Sequence, residues 1–238
     1  MNDGEITCKD LVKTYNVGQQ NEFVALKGIN LTIADGSFVS IMGPSGSGKS
    51  TLLNLISCLD SPTSGEVYIE GVGISGLNGN QKAKLRREKL GFVFQQFNLI
   101  PNMTAFENVE LPMRFEGTPA AERKKRADEL LSLVGLEDKT NNKPTEMSGG
   151  QQQRVAVARS LANNPKIIMA DEPTGNLDTQ TGKKIMELLV RLHKEENKTL
   201  VVVTHDPGIA KTSNHIIQIQ DGLIHKAAAE KTKEETRK

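Results

Sequence analysis

Residues 43–50, Gly43-Pro44-Ser45-Gly46-Ser47-Gly48-Lys49-Ser50, fit the phosphate-binding pattern of a glycine, four free positions and Gly-Lys-Ser. The flanks constrain the fold as strongly as the turn does. Phe38-Val39-Ser40-Ile41-Met42 reads as a short buried strand running into the turn. Leu52, Leu53, Leu55, Ile56 and Leu59 read as the apolar stripe of a helix leaving it. Strand, glycine turn and helix in that order predict an α/β chain with a nucleotide triphosphate site. The glycines let consecutive N–H groups face one phosphate cluster, and the helix starting near Lys49 turns its positive dipole end the same way. Lys49 is then the partner of the β- and γ-phosphates and Ser50 a ligand of Mg²⁺.

A second element supplies chemistry. Ile167-Ile168-Met169-Ala170 is an apolar strand that ends in two carboxylates, Asp171 and Glu172. Such a pair divides the labour, Asp171 acting through the metal shell and Glu172 polarising the attacking water. A general base of that kind is worth about 10²- to 10⁴-fold in rate.

A third element is another phosphate-seeking helix start. Met147-Ser148-Gly149-Gly150-Gln151 runs into Gln152-Gln153-Arg154 and a helix with an apolar face from Val155 through Ala158 and Leu161 to Ala162, stopped by Asn163-Asn164-Pro165. Ser148 stands as the N-cap and the two glycines leave backbone N–H groups uncovered. One chain has no evident use for two such starts on one γ-phosphate unless a second copy brings its own across an interface.

Ser148-Gly149-Gly150-Gln151 resembles the signature loop of ATP-binding cassette (ABC) ATPases, with Met147 in place of that motif's usual leucine, a tolerated apolar exchange. The resemblance covers residues 5–225, with the motifs in the family's order. It implies a P-loop (RecA-like) core with an antiparallel β-subdomain and an inserted α-helical subdomain over about 96–160, in one domain of residues 1–226. It implies ATP and Mg²⁺ as ligands. Tyr15 matches the aromatic that stacks on adenine, although a strand aromatic packing on the β-region is an alternative. The nucleotide set continues with Gly43 through Ser50, Thr51, Ser148, Gly149, Gly150, Gln151 and Asp178. Gln95, in preference to its neighbour Gln96, matches the glutamine that senses Mg²⁺ and the transported partner, so the metal set is Ser50, Gln95 and Asp171.

Within the same resemblance, Gly175-Asn176-Leu177-Asp178 is similar to the loop joining the two sites of a dimer, with Asp178 its acidic member. A helix-capping role before Thr179 is compatible with that. His205, after the strand Leu200-Val201-Val202-Val203-Thr204, resembles the histidine that contacts the γ-phosphate, at the carboxyl edge where open α/β sheets place ligands. The catalytic set is therefore Glu172, His205 and Gln95. His193, His215 and His225 read as surface or packing residues, and the four histidines show no metal-site spacing.

Composition narrows the reading. The 238 residues suffice for one cassette, and a net charge of +1 gives no reason to expect nucleic acid as a partner. Cys8 and Cys58 lack Cys-x-x-Cys spacing, as expected in a reduced cytosol. No leader opens the sequence, and no apolar run approaches the ~18 residues needed to span a bilayer. A membrane role is expected to come through a permease, with the ATPase peripheral on the cytoplasmic face.

Along the chain, Ile6 to Tyr15, Phe23 to Ile33, the Ala34-Asp35-Gly36 turn and Gly65 to Gly71 predict an antiparallel β-region. Helical character is expected after Gln95. Ala127, Leu130, Leu131 and Val134 recur at helical spacing behind the solvated basic face Glu122 to Arg126. A helix with Ile185, Leu188, Leu189 and Leu192 follows Asp171, and a hairpin is expected at Asp221-Gly222. Residues 227–238 read as a disordered charged tail.

Val93 to Pro101, Thr104 to Val109 and Asp171 to Asp178 are similar to the branch holding macrolide-exporter (MacB-like) and lipoprotein-release (LolD-like) ATPases. That resemblance implies a homodimer sandwiching two ATP, a transmembrane permease partner, and an adaptor outside the membrane reached through the permease. The implied cargo is a peptide, antibiotic, macrolide or lipoprotein. A cell-division switch of FtsE-like type and a soluble ABC ATPase acting on nucleic acid or ribosomes are the alternatives.

Overall fold

The computed structural model describes residues 5–228, which divide into two compact units, residues 5–75 with 201–228 and residues 76–200. In the first unit, β1 (Ile6–Tyr15), β2 (Phe23–Ile33), β4 (Ser64–Ile69) and the two-residue β5 (Val72–Gly73) form a four-stranded antiparallel sheet in the order β2-β1-β4-β5. The limits of β1 and β2 are those expected from their alternation and the bounding turns. Ile6, Cys8, Leu11, Leu26, Ile29, Ile33, Val67 and Ile69 fill the inner face. Burial of this order contributes roughly 1.5–3 kcal/mol per large apolar side chain.

The same unit holds β3 (Phe38–Met42), parallel to β9 (His215–Gln220), which turns back into β10 (Leu223–Ala228). The turn is at Asp221 (φ 51°) and Gly222 (φ 77°), the two positive angles that a two-residue hairpin with right-twisted strands requires. The expected tail beginning at 227 is corrected at its start, because Ala227 and Ala228 pair with Ile217 and Ile216 as the last residues of β10. Residues 229–238 of that expected tail lie outside the described residues.

β3 delivers the chain into the glycine turn and then into α1 (Lys49–Ile56), whose Leu52, Leu53, Leu55 and Ile56 are buried. Leu59, expected in the same stripe, lies past the helix end and is 45% exposed. The chain has turned by then, with Cys58 at φ 58° and Leu59 N–H donating to the Asn54 carbonyl.

In the second unit, α2 (Gly79–Lys89) leads into β6 (Leu90–Phe94), which pairs in parallel with β7 (Ile167–Asp171). Between them in sequence come α3 (Ala105–Glu116), α4 (Ala120–Leu133) and α5 (Gly149–Ser160), followed after β7 by α6 (Thr179–Glu196). The predicted stripe Ala127, Leu130, Leu131 and Val134 is buried. Helix α5 ends at Ser160, two residues before the expected Ala162, and Gly91 of β6 explains how close it lies. A Cβ on Gly91 would stand 2.4 Å from the Ser160 carbonyl oxygen. Helix α2 stands between the last expected strand, ending at Gly71, and Gln95, where no helix was expected, and none of its residues is buried. The division runs through β8 (Thr199–Val203). Its start lies in the second unit, where Thr199 N–H donates to Lys166 O, and its end in the first, where the following Thr204 N–H donates to Ile41 O. The short α7 (Pro207–Ala210) comes next in the chain.

Candidate functional site

The glycine turn of the first unit is held by backbone contacts. A Cβ on Gly43 would lie 2.0 Å from the Ile219 carbonyl oxygen and 2.6 Å from Ser47 Oγ. One on Gly48 (φ 105°) would lie 2.8 Å from the Ala25 carbonyl oxygen. Gly46 (φ 76°) has open space around it, and there glycine answers the backbone angle. The Ser47 carbonyl receives the Gly222 N–H, and the Gly222 carbonyl receives the Lys27 N–H, so the β9–β10 hairpin fastens the turn from behind.

Two features fit this turn to a polyanion. Gly48 caps α1 with no side chain, so the N–H groups of the first helical turn, which have no carbonyl within the helix, stay available to a ligand. The Lys49 ammonium, almost fully buried, donates to the carbonyls of Gly43 (3.0 Å) and Pro44 (2.8 Å) of its own loop. A buried cation held only by carbonyls is a good receiver for phosphate oxygens. Among the described residues, Ser47 Oγ, buried in the turn, has no hydrogen-bond partner. Ser50 is exposed and Thr51 half-buried on the first turn of α1. Mg²⁺ keeps several waters and needs only one or two protein oxygens, so a hydroxyl such as that of Ser50 suits it.

His205 is exposed just beyond β8. The Thr204 N–H bond to Ile41 O places it at the edge from which β3 enters the glycine turn. Tyr15 ends β1. Its hydroxyl donates to Asp60 Oδ2 (3.2 Å), and the Lys13 ammonium lies 4.7 Å from its ring centroid.

The remaining candidates lie in the second unit. Phe94 and Asp171 are register partners in the parallel β6–β7 pair, so Gln95 and Glu172 leave the two strands side by side. Asp171 and Glu172 are both half-buried. Glu172 adopts φ 43°, a left-handed backbone that an L-residue with a long side chain takes up only when its surroundings enforce it. Its carbonyl receives the Gly175 N–H, and Pro173 O receives Gln153 Nε2 at 2.6 Å from α5. Gln95 leans on Gly175, where a Cβ would come within 2.7 Å of Gln95 Nε2, and Asn176 Nδ2 donates to the Gln95 carbonyl. Gln96 is exposed on the other side of the same turn.

Ser148 is the N-cap of α5 in a reciprocal box with Gln151. The Gln151 N–H donates to Ser148 Oγ (3.3 Å), and the Ser148 N–H donates to Gln151 Oε1 (2.8 Å). Met147 is buried in leucine's stead. Gly149 lies against the Phe97 ring and Asn176, and a Cβ on Gly150 would meet Thr181 Cγ2 at 2.5 Å. Asp178 caps α6, accepting the Gln180 (3.1 Å) and Thr181 (3.0 Å) N–H groups. Thr181, through its side chain and then its N–H, holds the Asp178 carboxyl below its usual range.

Three supporting residues escaped the sequence reading. Lys13 and Asp60 brace Tyr15; of these, Lys13 stands two residues before Tyr15 on the same strand face, a signal that period-2 alternation offers. Arg159 donates to Asn98 O (2.5 Å) and Phe97 O (2.9 Å), pinning two left-handed residues that follow Gln95. Burial works against its charge, and the two carbonyls compensate.

A glycine cradle behind a buried lysine, two strand-end carboxyls and a second capped glycine turn define a P-loop nucleotide hydrolase. The ABC transporter family model matches residues 26–175, and the chain belongs to that family as an ATPase cassette. It is 56% identical over 225 residues, 93% of this chain and 95% of the relative, to the ABC transporter ATP-binding protein MJ0796 of Methanocaldococcus jannaschii. It is 50% identical over 219 residues to the macrolide export ATP-binding/permease protein MacB of Brucella melitensis. There it covers 92% of this chain and 34% of MacB, about a third of that protein's length. The dimeric post-hydrolysis structure of the cassette MJ0796 with ADP and Pi superposes with a TM-score of 0.88 at 54% identity, covering 94% of this chain and 98% of that one. Among the described residues, no helix is long and apolar enough to cross a membrane.

Proposed function

We propose that residues 1–226 act as one ATPase domain that binds MgATP, dimerises around two nucleotides and drives a separate permease of the MacB or LolD type from the cytoplasmic face of the membrane. The cargo class is a peptide, antibiotic, macrolide or lipoprotein, handed on through the permease and an adaptor beyond it. The observation that carries the reading is the paired glycine turns. One encloses a buried lysine, and the other is capped by an exposed serine, Ser148, ready for the nucleotide of a second copy. The dimeric MJ0796 cassette and the MacB match support it.

In this reading Lys49 and the α1 N–H groups hold the β- and γ-phosphates, and Ser50, Asp171 and Gln95 hold Mg²⁺. The metal, when bound, neutralises phosphate charge and fixes the phosphoryl group. Glu172 accepts a proton from the attacking water, and His205 steadies the γ-phosphate. Ser148 and Gly150 face the nucleotide of the partner copy. Closure follows because a site completed by two chains binds ATP more tightly closed than open.

Glu172→Gln preserves shape and removes the base. Phosphate release is expected to fall by about 10²- to 10⁴-fold while ATP-dependent dimers accumulate. Full turnover in Glu172→Gln would remove Glu172 from the base role. Affinity capture from detergent-solubilised membranes with tagged Glu172→Gln and MgATP, against a Lys49→Ala control, tests the partner. A multi-span permease retained only by Glu172→Gln supports the exporter reading. Division proteins or ribosomes in its place would overturn it and leave the ATPase standing.

A further inference from the structure

Tyr15 stands in a closed network within the first unit. Asp60 Oδ2 accepts the Tyr15 hydroxyl at 3.2 Å, and Asp60 Oδ1 accepts the Lys13 ammonium at 2.8 Å. The same ammonium donates to Ser61 O at 2.9 Å and lies over the Tyr15 ring. Lys13 keeps only 12% of its side-chain surface in solvent and Asp60 32%. The segment bearing Asp60 is fixed at both ends. Asp60 N–H donates to Asn54 O in α1, the Thr63 N–H donates to Val12 O, and Thr14 N–H donates to Thr63 Oγ1. The helix that opens at Lys49 is therefore laced, at its far end, to the strand tip that carries Tyr15.

An exposed tyrosine samples several rotamers and gives up that freedom on stacking. A tyrosine anchored at its hydroxyl and covered on one face has already lost it. A cation over one face draws ring density towards itself and strengthens stacking of an electron-rich purine on the other. We propose that Asp60 is a positioning residue for nucleotide-base recognition, orienting Lys13 and the Tyr15 hydroxyl so that one ring face is presented to adenine. This inference rests on the reading of Tyr15 as the adenine platform. The Asp60 carboxylate meets Lys13, Tyr15 and the Ser61 N–H, and the residue reaches α1 through its backbone N–H alone, which Asp60→Asn retains, so the contribution of the carboxylate is assigned to the base.

Calorimetric titration with MgADP and with base-free Mg-tripolyphosphate separates the cases, using the wild type, Asp60→Asn, Lys13→Met and Tyr15→Ala. Asp60→Asn and Lys13→Met are expected to weaken MgADP by roughly threefold to tenfold and to leave tripolyphosphate unchanged. Asp60→Asn should add nothing in the Tyr15→Ala background. If Asp60→Asn weakens both ligands alike, its role is structural and the proposal falls. It falls equally if Tyr15→Ala weakens MgADP while Asp60→Asn does not. If Tyr15→Ala leaves MgADP binding intact, the platform reading itself fails and takes the inference with it.

Discussion

Two glycine-rich turns open helices in this chain, at 43–50 before α1 and at 147–151 before α5, and they are built in opposite ways. In the first, backbone carbonyls of Ile219 and Ala25 stand where Cβ atoms would go, the lysine is buried, and no side chain caps the helix. In the second, the cap is a serine, the glutamine three residues on closes the box, and the atoms nearest a Cβ on Gly150 belong to the Thr181 side chain. The first turn is shaped by its own backbone and keeps its first-turn N–H groups for a ligand. The second satisfies itself through side chains and leaves its cap, Ser148, exposed. A cradle that must enclose a polyanion unaided has to be rigid. A turn that, as proposed, completes a site on another copy has to be stable alone and keep its cap accessible.

The comparison breaks most readily at the glycines. Gly43→Ala is expected to cost about 3 kcal/mol or more, because a backbone carbonyl at 2.0 Å cannot rotate away, and to abolish nucleotide binding. Chemical denaturation and calorimetry with MgADP read both. Gly150→Ala should cost less, about 1–2 kcal/mol. What must give way is one side chain, Thr181, whose shift loosens its hydroxyl from Asp178, and alanine within the first turn of a helix regains part of the loss as helix propensity. Its MgADP affinity as a monomer should be unchanged while the ATP-dependent dimer weakens. Equal losses in the two variants would erase the distinction between a backbone-locked and a side-chain-capped turn.

Ser148→Ala comes next in size. Losing the cap should lower stability by about 1 kcal/mol, seen as a shift in denaturation midpoint. Turnover should fall further than stability, since the exposed hydroxyl is also the proposed contact to a partner's nucleotide. Ser148→Asp restores a cap with a negative charge facing that nucleotide. Stability is expected to return while dimerisation does not. Recovery of both would make Ser148 a cap and nothing more.

The sequence was informative where burial is periodic. The strand into Gly43, the stripe of α4 and the two carboxyls after Ala170 could all be read because each has an apolar face or a fixed spacing. Helix α2 was missed because it buries nothing. Between Gln81 and Lys89 only Ala83 and Leu85 are apolar, too few for a stripe, and the available signal was local, the Asn78–Gln81 capping box. Leu59 misled because apolar spacing continued past Ser57 after the backbone had turned. The Asp60 contact to Tyr15 spans 45 residues. The Arg159 clamp on Phe97 and Asn98 spans more than 60. Neither leaves a pattern in a window of the chain, since both depend on how the elements pack.

Asp178 supplies the smallest test and bears on the same contrast, because it too caps a helix while serving a proposed inter-copy loop. Its carboxyl is held below the ordinary range by Thr181, so the folded state binds its proton more weakly than the unfolded one. The associated stability is therefore present above the unfolded carboxylate pKa, about 4, and is lost as pH falls through the lower folded value. Asp178→Asn keeps a cap and removes the titration. The wild type should melt slightly above Asp178→Asn at pH 7, and the two curves should converge as the pH is taken down towards 3. A gap that does not shrink at all as the pH falls below the unfolded carboxylate pKa would mean that the carboxylate is not the source of the difference, leaving side-chain shape as the cause.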